Sequence, residues 1–172
     1  MPFRRNQIRD AAELAYRHVV EQARQPAFFL GCGVPDTLDG RFELICLHAF
    51  LYLRRLKGEP APAPAVAQQL VDTMFADFDR SLREIGTGDL SVGRQIKRMA
   101  EAFSGRVQAY DDGLAGNDSM LCAALARNLY GTTVATEEQL ARIAGYVRRE
   151  AANLAGQLAS ALAFGEIAFG TP

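Results

Sequence analysis

Hydrophobic residues recur every three or four positions along most of the chain, which is the spacing of an α-helix with one buried face. In the first segment this series runs from Ile8 to Ala23, and the predicted helix ends before Pro26. The next stretch, PAFFLGCGVPDTLDGRF (residues 26–42), contains so many prolines and glycines that it excludes a continuous helix.

The same periodicity predicts further helices after this break. The stretch LICLHAFLYL (residues 44–53) is apolar nearly all round, which is typical of a helix surrounded by other helices. Asn117 is placed to cap one helix, and Thr136 and Gln139 have the spacing of a capping box at the start of another. The predicted helices after the first cover about residues 39–57, 64–85, 91–114, 117–131 and 136–162.

No segment shows the sustained alternation of a β-strand. The Pro/Ala-rich stretch GEPAPAPA (residues 58–65) separates two pieces that are each short for an independent domain, so we interpret it as a loop between helices. The prediction is an all-α fold, a single domain over residues 1–172 built as a bundle of six to seven helices.

The glycines in DRSLREIGTGDLSVGRQIKRMAEAF (residues 79–103) raise the question of a phosphate-binding loop. Their spacing matches neither the P-loop nor the dinucleotide fingerprint, and a charged helix rather than a buried strand precedes them. We interpret the stretch as a corner between helices, in which Gly86 ends one helix in the left-handed conformation. Asp89 or Ser91 is then expected to cap the next helix, and Gly93 to permit the close approach of another backbone.

Charged residues are dense on both sides of this corner. Asp79 and Arg83, and likewise Arg80 and Glu84, are four positions apart, so each pair is expected to form an ion pair on a solvated helix face. The aspartates of this region do not form a calcium loop, because the glycine and glutamate positions of that motif are missing.

Composition excludes several classes of function. The net charge of −1 argues against nucleic acid as a direct partner. Three dispersed cysteines and two histidines make a metal site improbable, and His48 on an apolar helix is expected to be a core residue. No signal sequence or membrane-spanning stretch is present, so we expect a cytoplasmic protein, with peripheral contact at the inner face of the membrane as a further option. The residues suggest no catalytic site and no cofactor.

Two stretches, GVPDTLDGRFELICLH (residues 33–48) and MFADFDRSLREIGTGDLSVGRQIKRMAEAFSGRVQAY (residues 74–110), resemble the ubiquinol–cytochrome c chaperone family in order and spacing. The resemblance covers roughly residues 10–160. Ser104 departs from the aromatic residue expected there, and Phe78 from a methionine. The family pattern singles out Gly33, Pro35, Asp36, Gly40, Arg41, Phe42, Glu43, His48, Asp77, Asp79, Arg83, Glu84, Gly88, Asp89, Val92, Gly93, Lys97, Met99, Phe103, Gly105 and Arg106.

This resemblance implies a non-enzymatic assembly chaperone that binds newly made cytochrome b and assists assembly of ubiquinol–cytochrome c reductase. It also implies the ribosome and a small partner protein as further contacts. The alternative is a general helical interaction module, associated with ribosomes or membranes, without this client. A third hypothesis is a hydrolase that uses the carboxylates of residues 64–85.

A client with transmembrane helices needs an apolar groove with a polar rim. The apolar faces of the predicted helices over residues 39–114 are candidates for the groove, with Met74 and Met99 as adaptable contacts, although most of these residues are expected in the core. The charges of the rim have an alternative role, as an internal network that fixes the corner. The candidate partner-binding residues are Arg41, Asp77, Asp79, Arg83, Asp89, Arg94, Lys97 and Arg106.

Overall fold

The computed structural model of the protein describes residues 5–172, and in this range the regular structure is entirely helical. Six long helices and two five-residue helices are present, which confirms the predicted all-α bundle. The helices are α1 (Arg5–Ala23), α2 (Pro26–Leu30), α3 (Leu38–Leu56), α4 (Ala63–Glu84), α5 (Asp89–Ala115), α6 (Asp118–Asn128), α7 (Glu137–Gly156) and α8 (Ala159–Ala163).

The central element is α3, which contacts α1, α4, α5, α7 and α8. Its side chains are buried on nearly every face, as the apolar stretch in its sequence predicted. One continuous hydrophobic core includes residues from all eight helices. The Pro/Ala-rich stretch joins α3 to α4, and its last residues, from Ala63 onward, form the first turn of α4.

Most of the predicted helix ends are confirmed. Asn117 caps α6 by accepting a hydrogen bond from the Met120 amide, and Thr136 and Gln139 form the predicted capping box of α7. Gly86 has a φ of 88°, the left-handed conformation expected at the end of α4.

Two expectations for the corner between α4 and α5 are wrong. The cap of α5 is Gly88, without a side-chain hydrogen bond, because the Asp89 carboxylate binds Arg83 of α4 instead. Gly93 does not bring two backbones together, since a Cβ added to it would meet no atom within 4 Å. Gly40, by contrast, is required by close packing, because its Cβ would lie 1.9 Å from the Pro35 carbonyl oxygen.

His48 is a fully buried core residue, as expected. Its Nδ1 lies 2.7 Å from the Leu44 carbonyl oxygen, which can only accept, so Nδ1 carries the proton. Its Nε2 therefore accepts from the Tyr146 hydroxyl at 2.8 Å, and Gln22 donates to that hydroxyl in turn. Burial lowers the pKa of His48 to about 4, so the ring is neutral near pH 7.

The last predicted helix is interrupted where α7 ends at Gly156. The Arg55 guanidinium donates to the carbonyl oxygens of Leu154 and Gln157 at 3.0 and 3.1 Å, which satisfies the end of α7. The Gln157 side chain bonds both the N–H and the carbonyl oxygen of Ala168, so it serves the tail rather than a continuing helix.

The tail, residues 165–172, lies without regular structure against α1 and α7. Gln22 of α1 donates to the Gly170 carbonyl oxygen at 2.8 Å, and the Gly170 N–H donates to the Glu150 carboxylate of α7 at 2.9 Å. The Ile167 side chain is buried, and the Phe169 ring packs edge-on against His48. The terminal apolar stretch thus closes the bundle.

Residues 5–172 contain no helix with both the length and the low polarity needed to cross a bilayer. Cys32 and Cys46 are buried, Cys122 is partly exposed, and all three thiols are free.

Replacing Gly40 and Gly93 by alanine is predicted to change stability in opposite directions. Gly40→Ala forces a Cβ into the Pro35 carbonyl and is expected to lower the free energy of unfolding by about 3 kcal/mol. The Cβ that Gly93→Ala adds lies in open space on α5. This substitution is therefore expected to raise the free energy of unfolding by up to about 1 kcal/mol. Urea unfolding of both variants measures the difference, and equal effects would contradict this packing account.

Acid is predicted to destabilise the fold through His48. Its folded-state pKa lies below the ordinary value, so the unfolded chain binds the proton more tightly and stability falls as the pH drops from about 6.5 to about 4. The loss from this residue is expected to reach about 3 kcal/mol. Unfolding of His48→Gln over the same pH range supplies the control, because this variant should lack that component.

Candidate functional site

The charged corner between α4 and α5 is held by Arg83. Its Nε donates to Asp79 at 2.7 Å, one turn earlier on α4, and its guanidinium also binds Asp89 at the start of α5. The predicted pair of Asp79 and Arg83 is therefore confirmed, within a group of three charges. These contacts link α4 to the start of α5, and the role of the three charges in fixing the corner stays a prediction.

Asp77 connects α4 to α1. It accepts from the Tyr16 hydroxyl at 2.8 Å and from Arg80 at 2.7 Å. Burial, and then the bond to Asp77, raises the pKa of Tyr16, so its hydroxyl stays a donor. Arg80 thus forms its ion pair with Asp77, and the predicted ion pair of Arg80 with Glu84 is not found among the described residues.

A partly buried ion pair joins α3 to α5. The Arg106 guanidinium donates to both carboxylate oxygens of Glu43, with its Nε 2.6 Å from Oε2. The two side chains are 17% and 9% exposed. Burial raises the pKa of the Glu43 carboxyl, and the bond to Arg106 opposes that shift. The Arg106 guanidinium also lies 5.8 Å from the centre of the Phe42 ring.

Next to this pair lies a surface depression, which we call the groove. It has two parts, of about 470 and 180 Å³, and both are lined by Leu38, Phe42, Leu82 and Met99. These four apolar residues, two from α3 and one each from α4 and α5, form its floor. Leu38 is 56% exposed, so the floor presents apolar surface to solvent.

The rim of the groove is rich in arginine. Arg24 and Arg41 lie at one end, beside Asp77. Arg98, Arg106 and Arg127 lie at the other end.

The structure distributes the predicted partner-binding residues over three places. Arg41, Asp77 and Arg106 line the groove. Arg94 and Lys97 line an adjoining shallow depression, which shares Gln95 and Arg98 with the groove. Asp79, Arg83 and Asp89 lie at the corner and do not line the groove.

The two methionines expected as groove contacts have different positions. Met99 lies on the floor, as expected. Met74 is fully buried in the core, so it offers no contact to a partner. The apolar period of α4 predicts that Met74 and Phe78 lie on its buried face. It does not distinguish a residue that lines the groove from one that lies only in the core.

Sequence reasoning missed Arg24 and Arg127 and did not single out Arg98. Within residues 5–172 none of these three side chains forms an ion pair. For Arg127 a signal existed, since no acidic residue lies three or four positions away on either side to pair with it.

In the described part of the chain, no group of three or more His, Cys, Asp or Glu side chains is placed to hold an ion. An apolar floor with a charged rim is instead a common means of binding a partner helix. The described residues thus form an all-α fold that carries an apolar groove with a charged rim.

A family model described as ubiquinol-cytochrome C chaperone matches residues 30–169. The ubiquinol-cytochrome-c reductase complex assembly factor 1 of Xenopus laevis is 28% identical over 150 residues, which are 87% of this chain and 75% of that protein. The assembly factor of the same name from Mus musculus is 29% identical over 143 residues, 83% of this chain. Those residues cover 48% of the mouse protein, so the chain spans about half of it.

A solved structure, that of the Cbp3 homolog from Brucella abortus, matches with a TM-score of 0.86 and 36% identity. The match covers 96% of this chain and 92% of that one. The chain belongs to the ubiquinol–cytochrome c chaperone family, as its sequence predicted.

Removing Arg106 is predicted to destabilise the protein by about 3 kcal/mol, because Arg106→Ala leaves the Glu43 carboxylate buried without a partner. Arg83→Ala, at the exposed corner, is the matched control and is expected to cost much less. Urea unfolding measures both. A double variant, Glu43→Leu with Arg106→Met, should recover most of the loss, and a failure to recover it would contradict the ion-pair explanation.

Proposed function

We propose that this protein is a non-enzymatic chaperone for assembly of ubiquinol–cytochrome c reductase, and that it holds newly made cytochrome b through the groove. The proposal rests on one observation, that the two motif stretches meet at the floor of the groove. Leu38 and Phe42 belong to the first stretch and Leu82 and Met99 to the second, and together they form the floor. Phe42 and Met99 are also among the residues that the family pattern singles out, and Leu38 exposes the floor to solvent.

The relatives support the proposed role. The frog and mouse proteins are named as assembly factors of the reductase complex, and the family model describes a chaperone. Cytochrome b as the client, the ribosome, a small partner protein and a cytoplasmic location remain predictions from the sequence and its resemblance.

The groove suits a client helix for a physical reason. An unassembled membrane helix exposes apolar side chains, and covering them stabilises the complex by about 25 cal/mol for each Å² removed from water. Leu38 and Met99 offer such cover at the surface, while the Glu43–Arg106 pair neutralises the charge buried beside them. No step of this function requires a bond to be made or broken.

The proposed partner-binding residues have separable roles. We propose that Arg41, Asp77 and Arg106 orient the client at the groove and that Arg94 and Lys97 extend the contact along α5. Asp79, Arg83 and Asp89 would act by keeping α4 and α5 at the angle that the floor requires, because their contacts are with one another.

Photo-crosslinking in cells tests the proposal. A probe at Leu38 lies in the groove, whereas a probe at Leu158, which is 74% exposed, lies in a separate depression beside Ile167. Cytochrome b is expected among the products from position 38 and not from position 158. Deletion of the protein is expected to lower the amount of assembled reductase without changing the cytochrome b message.

Two outcomes would contradict the proposal. If position 38 captures ribosomal proteins but no cytochrome b, the protein is a general interaction module. An unchanged amount of reductase in the deletion strain would exclude the assembly role itself.

A further inference from the structure

The lining of the groove is net positive, since five arginines face three acidic residues, Asp39, Glu43 and Asp77. The net charge of the chain is −1, yet Arg24, Arg98 and Arg127 line the groove without an ion pair among the described residues. The other two arginines at the rim are already bound, Arg41 to Asp36 and Arg106 to Glu43. The unpaired arginines come from three different parts of the chain.

The unpaired charges are also separated along the groove. Arg24 lines the smaller part, and Arg98 and Arg127 line the larger part. Between them lies the apolar floor shared by both parts. A ligand that covers the floor and also pairs with these arginines is therefore apolar in the middle and anionic at both ends.

We propose that the groove selects a helical segment whose apolar stripe is flanked by carboxylates at both ends. This inference rests on the proposed function, because it specifies which segment of a client the groove holds. Arg24 binds the carboxylate at one end, and Arg98 and Arg127 bind the carboxylate at the other. A guanidinium binds a carboxylate with two parallel hydrogen bonds, which also orients the helix.

The shape of the site favours a protein segment over other anions. A single phosphate would leave the apolar floor uncovered. A flat lipid surface does not enter a concave groove. A helix with hydrophobic residues at positions i, i+3, i+4 and i+7 meets both requirements.

Synthetic peptides provide the first test. Three helical peptides share one leucine stripe and differ at both ends, where they carry Glu, Gln or Lys. By fluorescence anisotropy with the full chain, the Glu peptide is expected to bind about tenfold more tightly than the Gln peptide, and the Lys peptide more weakly than both. The preference is expected to shrink as salt is raised, because these arginines are exposed.

Charge reversal provides the second test. Arg98→Glu with Arg127→Glu should invert the preference, so that the Lys peptide binds more tightly than the Glu peptide. Arg17→Glu is the matched control, since Arg17 is exposed on α1 and does not line the groove. Circular dichroism of all variants checks that the helical fold is kept.

The outcomes separate this inference from the proposed function. Equal binding of the three peptides, or an unchanged preference after charge reversal, would overturn the selection of carboxylates, while crosslinking of cytochrome b from position 38 would still support the chaperone. A clear preference for the Glu peptide without cytochrome b among the crosslinked products would support the groove chemistry and reject the client.

Discussion

The ion pair between Glu43 and Arg106 is the interaction on which the site depends. Glu43 lies on the helix that the rest of the bundle surrounds, where a carboxylate without a partner is costly to bury. Arg106 supplies that partner from α5 and so joins α5 to the centre of the fold. The two opposite charges of this pair cancel within the larger part of the groove, which Phe42 and Met99 also line.

Much of the fold follows from local patterns in the sequence. Most of the long helices were predicted by their apolar period, and the caps at Asn117 and Thr136 depend on residues within one turn. Two of the errors concern choices between partners. Asp89 could bind its own helix end or Arg83, and Arg80 could bind Glu84 or Asp77. The packing of α4 against α1 and α5 decides both, and periodicity does not contain that information.

The sequence predicted an apolar groove with a polar rim, but it identified only some of the residues that line it. The motif stretches indicated the helices that form the floor, because the residues of each stretch are close together in sequence. Arg24 and Arg127 could not be assigned in this way, since one follows α1 and the other lies on α6. They reach the same groove through tertiary packing, so a charge cluster exists in the folded protein that no window of the sequence contains.

The order in which the chain is synthesised determines when the tail can make its contacts. Every residue that lines the groove lies between positions 23 and 132, whereas the contact of Gly170 with Gln22 joins segments 148 positions apart. During translation the groove segments leave the ribosome before the tail does. A chain that is still attached to the ribosome therefore contains all the groove residues before the tail can link α1 to α7.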